Sequence, residues 1–252
     1  MRRRVSRKAN SSVPEGREGR MPYVLVALLG ILGFGGCAER PDTTPFSSSK
    51  QPVQVDFEKR TVRVAGRIYP RRYNEARARA RGHHGIVWEK GSQARKALIE
   101  VEAPDVEIQR ALESLGLEPG NNLTIETWEA AGDAESSEPD RRVEGPAIQI
   151  EVEWEEDAAG NAAGEKRAVP FFRLFEDTGP EDMDIRFGGH EEYVPHWRSG
   201  CVTCLFSCPG GRTSNAAFVI RDQVKGRREF RANQKLLPGD GARVRVLFGE
   251  GE

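Results

Sequence analysis

The sequence predicts an α+β fold: one β-rich domain with one prominent helix, preceded by a signal or anchor segment and a flexible tether. Three observations predict it. Several short segments alternate apolar and polar residues with the period of two that a half-buried strand requires. Residues 104–115 carry an apolar stripe at helical spacing. No glycine-rich phosphate loop follows any strand signal, which argues against a βαβ nucleotide-binding fold. Hydrophobic content of 37% under 31% charged residues fits a small core with a heavily charged surface.

The N-terminus reads as an address. Residues 1–20 hold seven Lys or Arg against Glu15 and Glu18, and residues 21–37 are uncharged. Within the latter, Tyr23 to Phe34 is an apolar run, followed by Gly35-Gly36-Cys37. A basic segment, an apolar segment and a small-residue site describe a secretory signal. A cysteine directly after two glycines resembles a lipobox, with Phe34 where leucine is usual, so Cys37 is the expected lipidation site. The competing reading is an uncleaved membrane anchor, since about 18 uncharged residues just span a bilayer. Both readings cover residues 1–37, tie the chain to a membrane and place the body on the periplasmic face, in the cell envelope. Residues 38–52, rich in Ser, Thr and Pro, read as a flexible tether.

The domain spans residues 53–252. Alternation predicts strands at 53–57 and 61–68, joined across a hairpin-length connection, and a second pair at 85–89 and 96–101 joined through Gly91. Pro104 suits a first helical turn and Gly116 a C-terminal cap, which bounds the helix bearing Val106, Ile108, Ala111, Leu112 and Leu115. Residues 130–144 are a polar loop, 147–154 an alternating strand, and 157–165 an exposed turn. Further strands are predicted at 167–174, 217–222 and 243–248. After Cys37 the chain carries 31 Lys or Arg against 37 Asp or Glu, and an acidic body gives no electrostatic case for holding phosphates, so nucleic acid is not an expected partner.

The chemistry-bearing stretch is Ser199-Gly-Cys201-Val-Thr-Cys204-Leu-Phe-Ser-Cys208-Pro-Gly-Gly211. Three of the four cysteines fall within eight residues. Thiolates so close suit a shared soft metal or an iron–sulfur cluster. The spacing C-x2-C-x3-C-P is that of the end of a bacterial ferredoxin run with one cysteine missing, so a cluster or a zinc ion needs a fourth ligand. His190 and His196 lie shortly before Cys201 and are the candidates. An exported chain meets oxidising conditions, so a structural disulfide with no cofactor is the second reading, and a redox-active Cys201–Cys204 pair the third. His83-His84 reads as a surface or hairpin pair, with metal ligation its minor reading. Arg186 and Arg198 are candidates for lowering thiol pKa values or plain surface charges. No Ser-His-Asp order or carboxylate pair stands out, so a stand-alone enzyme is not expected.

Several of these segments resemble the YdjY-domain family: residues 55–64, 96–101, 111–120 and 152–154, and the cysteine stretch 199–209, in that order. Members are described as ferredoxin-type or uncharacterised proteins, often exported. The resemblance implies an iron–sulfur role carried by Cys201, Cys204 and Cys208, with a redox partner protein, and supplies no reaction. The functional expectation is an exported, lipid-anchored metal or cluster protein in electron transfer; the alternative is a non-catalytic envelope binding module stapled by a disulfide.

Overall fold

A computed structural model describes residues 52–79, 82–156 and 166–251. The expected signal or anchor, Cys37 and the tether before Pro52 lie outside the described residues. Among the described residues no helix is long and apolar enough to cross a membrane.

Ten strands form one mixed sheet. β1 (Val53–Asp56) and β2 (Thr61–Ile68) make the expected hairpin. α1 (Pro70–Arg79) leads to β3 (His84–Trp88), then β4 (Ile99–Val101) and α2 (Asp105–Ser114). α3 (Ile125–Gly132), β5 (Ile148–Glu155), β6 (Lys166–Pro170), β7 (Ile185–Phe187) and α4 (Tyr193–Trp197) follow. β8 (Cys201–Cys204), β9 (Thr213–Asn215), α5 (Ile220–Val224) and β10 (Ala242–Glu250) complete the chain. The strand order is β6-β5-β10-β2-β4-β3-β8-β9-β7, with β1 also paired to β2. β3–β4 and β8–β9 are parallel, and the other named pairs are antiparallel. The sheet curls: the segment before β5 meets β7 through an Ala147–Arg186 bridge and a Phe187 N–H donated to the Pro146 carbonyl.

Alternation does what the sequence requires of it. In β2, Val62, Val64 and Ile68 are buried, and in β5 Ile148, Ile150 and Val152 are, while Gln149 and Glu151 are exposed. These residues join Val244, Val246 and Phe248 of β10 in the main core, against which α2 sets Ile108, Ala111, Leu112 and Leu115. A second, smaller core holds Val87, Ala94, Ala97 and the three cysteines. Val87 belongs to it, whereas Ile86 belongs to the main core, as opposite faces of one strand would have it.

Three expectations need correction. The strand at 167–174 stops at Pro170, and Phe171–Leu174 winds into a 3₁₀ turn; a proline lacks the N–H a continuing ladder needs. Residues 217–222 run into α5, whose start is tied down by the Asp222 carboxylate accepting the Val219 N–H at 2.9 Å. The expected strand at 96–101 begins only at Ile99, after a 3₁₀ turn over Ala94–Lys96. Nor is α2 the one prominent helix. α1 is as long, and its first turn is held by the distant Asp240 carboxylate, which accepts the Arg71 and Arg72 N–H groups at 2.8 and 3.0 Å.

Candidate thiol and imidazole site

In a regular strand, residues three apart face opposite sides of the sheet. Cys201 and Cys204 escape this because the β3–β8 register slips twice. Val87 pairs with Cys201 and Ile86 with Thr203, so Val202 is an extra residue; His84 then pairs with Cys204. Such a bulge re-aims the side chains beyond it. Cys201 and Cys204 both enter the small core, while Val202 and Leu205 enter the main one. The turn after β8 returns Cys208 to the same cluster.

The backbone around the cluster is closely tied. Gly91 lies so near Ser199 that an added Cβ would overlap the Ser199 carbonyl oxygen, and a Cβ on Gly200 would stand 2.7 Å from the Gly91 Cα. Gly200 also takes a φ of +66°, which glycine adopts without strain. Ser199 Oγ accepts the Cys201 N–H at 3.2 Å and donates to the Gly210 carbonyl at 3.1 Å. Gly210 N–H donates to the Cys208 sulfur at 3.2 Å. Arg212, 2% exposed, donates through Nε and Nη2 to Asp105 at 2.8 Å each, through Nη1 to Gln109, and to the Gly189 carbonyl at 3.3 Å. This network fastens the loop after Cys208 to α2.

The three thiols form a chain with Cys204 in the middle. All are buried, with relative exposures of 1%, 0% and 4%, and none is in a disulfide. Donation to Cys204, then burial, pushes the Cys201 thiol well above the ordinary range. Burial, then donation to Cys204, does the same to Cys208. Burial alone would raise Cys204, but the hydrogen bonds from Cys201 and Cys208, and then the neighbouring His83, hold it well below that range.

His84 is 8% exposed and begins β3 beside Cys204. Its ring stacks on His83 at 4.1 Å between centroids, and His83 meets the edge of Trp128 at 5.6 Å. Burial, reinforced by His83, lowers the His84 pKa to about 3, so the ring is neutral near pH 7. The Nδ1 atoms of both histidines are buried without a hydrogen-bond partner. A cavity of about 230 Å³ brings His83, His84, Trp128 and Trp197 together with Cys201 and Cys208. Trp128 and Trp197 stand 5.8 Å apart, and Gly210 makes room for the latter: a Cβ there would lie 2.7 Å from the Trp197 ring.

The histidines expected from spacing fare differently. His190 is 3% exposed, adopts a φ of +47°, and its Nδ1 lies 3.2 Å from the Gly211 carbonyl. Burial lowers its pKa, and its Nε2 has no partner, but it does not line the cavity. His196 is exposed on α4 and does not line it either. Arg186 pairs with Asp184 at 2.6 Å, and Arg198 is exposed; the buried cation beside the cysteine loop is Arg212. His83 and His84 are thus no exposed hairpin pair. Their signal was position: His84-Gly-Ile-Val-Trp88 reads as a strand, and an imidazole at its start enters the sheet.

The donor set suits one soft ion. Two thiolates on a tetrahedral ion with metal–sulfur bonds of about 2.3 Å lie about 3.8 Å apart, whereas a multi-iron cluster seats its thiolates on separate irons, farther apart; Cys201, Cys204 and Cys208 share one small core. Among the described residues no three His, Cys, Asp or Glu side chains already converge on a point that would hold a metal, so binding requires side-chain rotation.

The model of the YdjY domain matches residues 53–249. The chain is also 28% identical over 229 residues to a protein of Escherichia coli (strain K12) described as "Uncharacterized protein YdjY", covering 88% of this chain and 92% of that relative. No solved structure matches it. The order of strands and the cysteine-bearing β8 all fall within the matched span, and the chain belongs to the YdjY family.

Proposed function

We propose that this chain is a soft-metal-binding protein of the cell envelope, lipid-anchored through Cys37. Cys201, Cys204 and Cys208 are its thiolate ligands, and electron transfer with a redox partner protein is the work of the loaded site. The observation that carries the reading is the gathering of three buried, unbridged cysteines, Cys201, Cys204 and Cys208, in one small core beside a cavity that His83 and His84 line. A soft ion replaces the two shared protons and spreads the charge over three sulfurs. Iron or copper would supply one-electron chemistry there, whereas zinc would supply a structural tie.

A second reading, a non-catalytic envelope module stapled by a disulfide, is favoured by the absence of converged ligands among the described residues. Strand geometry decides which pair oxidation would join. Three residues of strand span about 10 Å, beyond the Cα separation of about 7 Å a disulfide tolerates. Cys201 and Cys204 bound β8, and Cys208 follows a turn, so the expected bridge is Cys204–Cys208.

The test is iron, zinc, copper and acid-labile sulfide content of the full-length chain, purified anaerobically beside Cys204→Ala. A stoichiometric metal lost in the variant supports the metal reading, and labile sulfide would identify a cluster. A metal-free protein carrying a Cys204–Cys208 bridge, mapped by mass spectrometry, would replace it with the stapled module.

A further inference from the structure

The sequence offers His190 and His196 as the imidazole that completes the cysteine site, and the geometry selects a different residue. We infer that His84 is the fourth ligand, making Cys201, Cys204, Cys208 and His84 a three-sulfur, one-nitrogen site for a single tetrahedral ion. The inference rests on the thiolate reading above and adds to it the nitrogen donor, the nuclearity and the route of entry.

Four observations carry it. First, His84 is the cross-strand partner of Cys204, the central thiol, and side chains directly opposite in a sheet have Cβ atoms about 5 Å apart. Second, its ring is more than nine-tenths buried and its Nδ1 has no hydrogen-bond partner. A buried imidazole nitrogen without a partner has given up its hydration with nothing in return, and a metal ion would satisfy it. Third, His84, Cys201 and Cys208 open on one cavity. An ion can therefore reach them past Trp128 and Trp197 without opening the main core. Fourth, the histidines expected from spacing are placed elsewhere, and His83, which shares the cavity, lies before β3 and is not the cross-strand partner of Cys204. His196 is exposed. His190 lies beyond the Gly211 backbone, where its ring is wedged so that a Cβ on Gly188 would overlap it.

The chemistry is consistent with that choice. A buried imidazole nitrogen without a partner, opening on the same cavity as two of the thiols, completes a donor set that soft and borderline ions take. Ligation releases thiol protons only. The charge of three thiolates and one dication is −1, smaller than that of a fourth thiolate ligand in the same buried place.

The test uses the full-length chain, reduced and held in detergent under argon, titrated with Co²⁺ and then with competing Zn²⁺. Wild type should show sulfur-to-cobalt charge transfer and the intense visible bands of tetrahedral cobalt. His84→Gln should keep the charge-transfer band and bind Zn²⁺ at least about 100-fold more weakly, the upper end of what losing even an outer partner costs. His190→Gln should change affinity by less than about tenfold. His84→Cys should restore tight binding and add charge-transfer intensity, which separates a lost ligand from a lost fold. Unchanged affinity and spectrum in His84→Gln, or the larger loss in His190→Gln, would overturn the inference and leave the thiolate reading standing. No charge transfer in the wild type would remove both.

Discussion

Replacing Asp105 by Ala should weaken the domain more than any surface charge change, because it leaves Arg212 buried and unpaired. The Arg212 side chain is 2% exposed and that of Asp105 12%. Two bonds of 2.8 Å run from the guanidinium to one Asp105 oxygen. Removing one partner of a buried pair costs about 3–5 kcal/mol. Gln109 and the Gly189 carbonyl still accept from Nη1, which points to the lower end, about 3 kcal/mol. Asp105 also opens the first turn of α2, where a carboxylate adds about 0.5 kcal/mol. With a urea slope of about 2–3 kcal/mol/M, the midpoint should fall by about 1–1.5 M. Asp105→Leu combined with Arg212→Met should recover most of this, since a packed apolar pair replaces a buried ion pair at little cost. A single-variant loss below about 1 kcal/mol, or a double variant no better than the single, would refute the reasoning. Either would mean that Arg212 reaches water and does not fasten the cysteine loop.

Three further outcomes follow from the same structure. Leu112→Ala, emptying a fully buried position in the main core, should cost about 2–5 kcal/mol by chemical denaturation. Gly210→Ala would set a Cβ 2.7 Å from the Trp197 ring; it should cost about 1–3 kcal/mol, shift tryptophan fluorescence, and speed labelling of Cys208 by a thiol reagent. The metal-free chain should lose stability in acid through His84, whose folded pKa of about 3 lies below its unfolded value of 6.5. The unfolded chain then binds a proton that the folded one refuses, so this contribution is complete above pH 6.5 and declines as pH falls toward 3. Between pH 8 and pH 5 it amounts to about 2 kcal/mol, and His84→Gln should flatten the measured slope by that amount.

Much of the sheet was legible because its strands are half-buried. Val62, Val64 and Ile68, or Ile148, Ile150 and Val152, announce themselves by alternating with polar neighbours. α2 was legible for the same reason at helical spacing. α1 was not: among its described side chains Tyr73 alone joins the main core, its surroundings are largely Arg, and its first turn is held by Asp240, 168 residues on from Arg72. α3 hid behind a Thr124–Thr127 capping pair where Glu or Gln is the usual signature. The short strands β8 and β9 are buried at every residue and so show no alternation, and β7 alternates over only three residues.

At the site, the cysteine spacing was visible, whereas the partner of Cys204 was not. The pairing of His84 with Cys204 spans 120 residues, and the bulge at Val202 that re-aims the thiols between Cys201 and Cys204 is reported by no local pattern. Proximity in sequence favoured His190 and His196; register across the sheet favours His84.

The most direct test of the central claim is X-ray absorption at the metal edge of the full-length chain, loaded anaerobically. The account predicts one ion with three sulfur neighbours and one imidazole nitrogen, and no metal–metal scattering. Scattering from a second metal would contradict the single-ion site, and a shell of oxygen and nitrogen without sulfur would contradict Cys201, Cys204 and Cys208 as ligands.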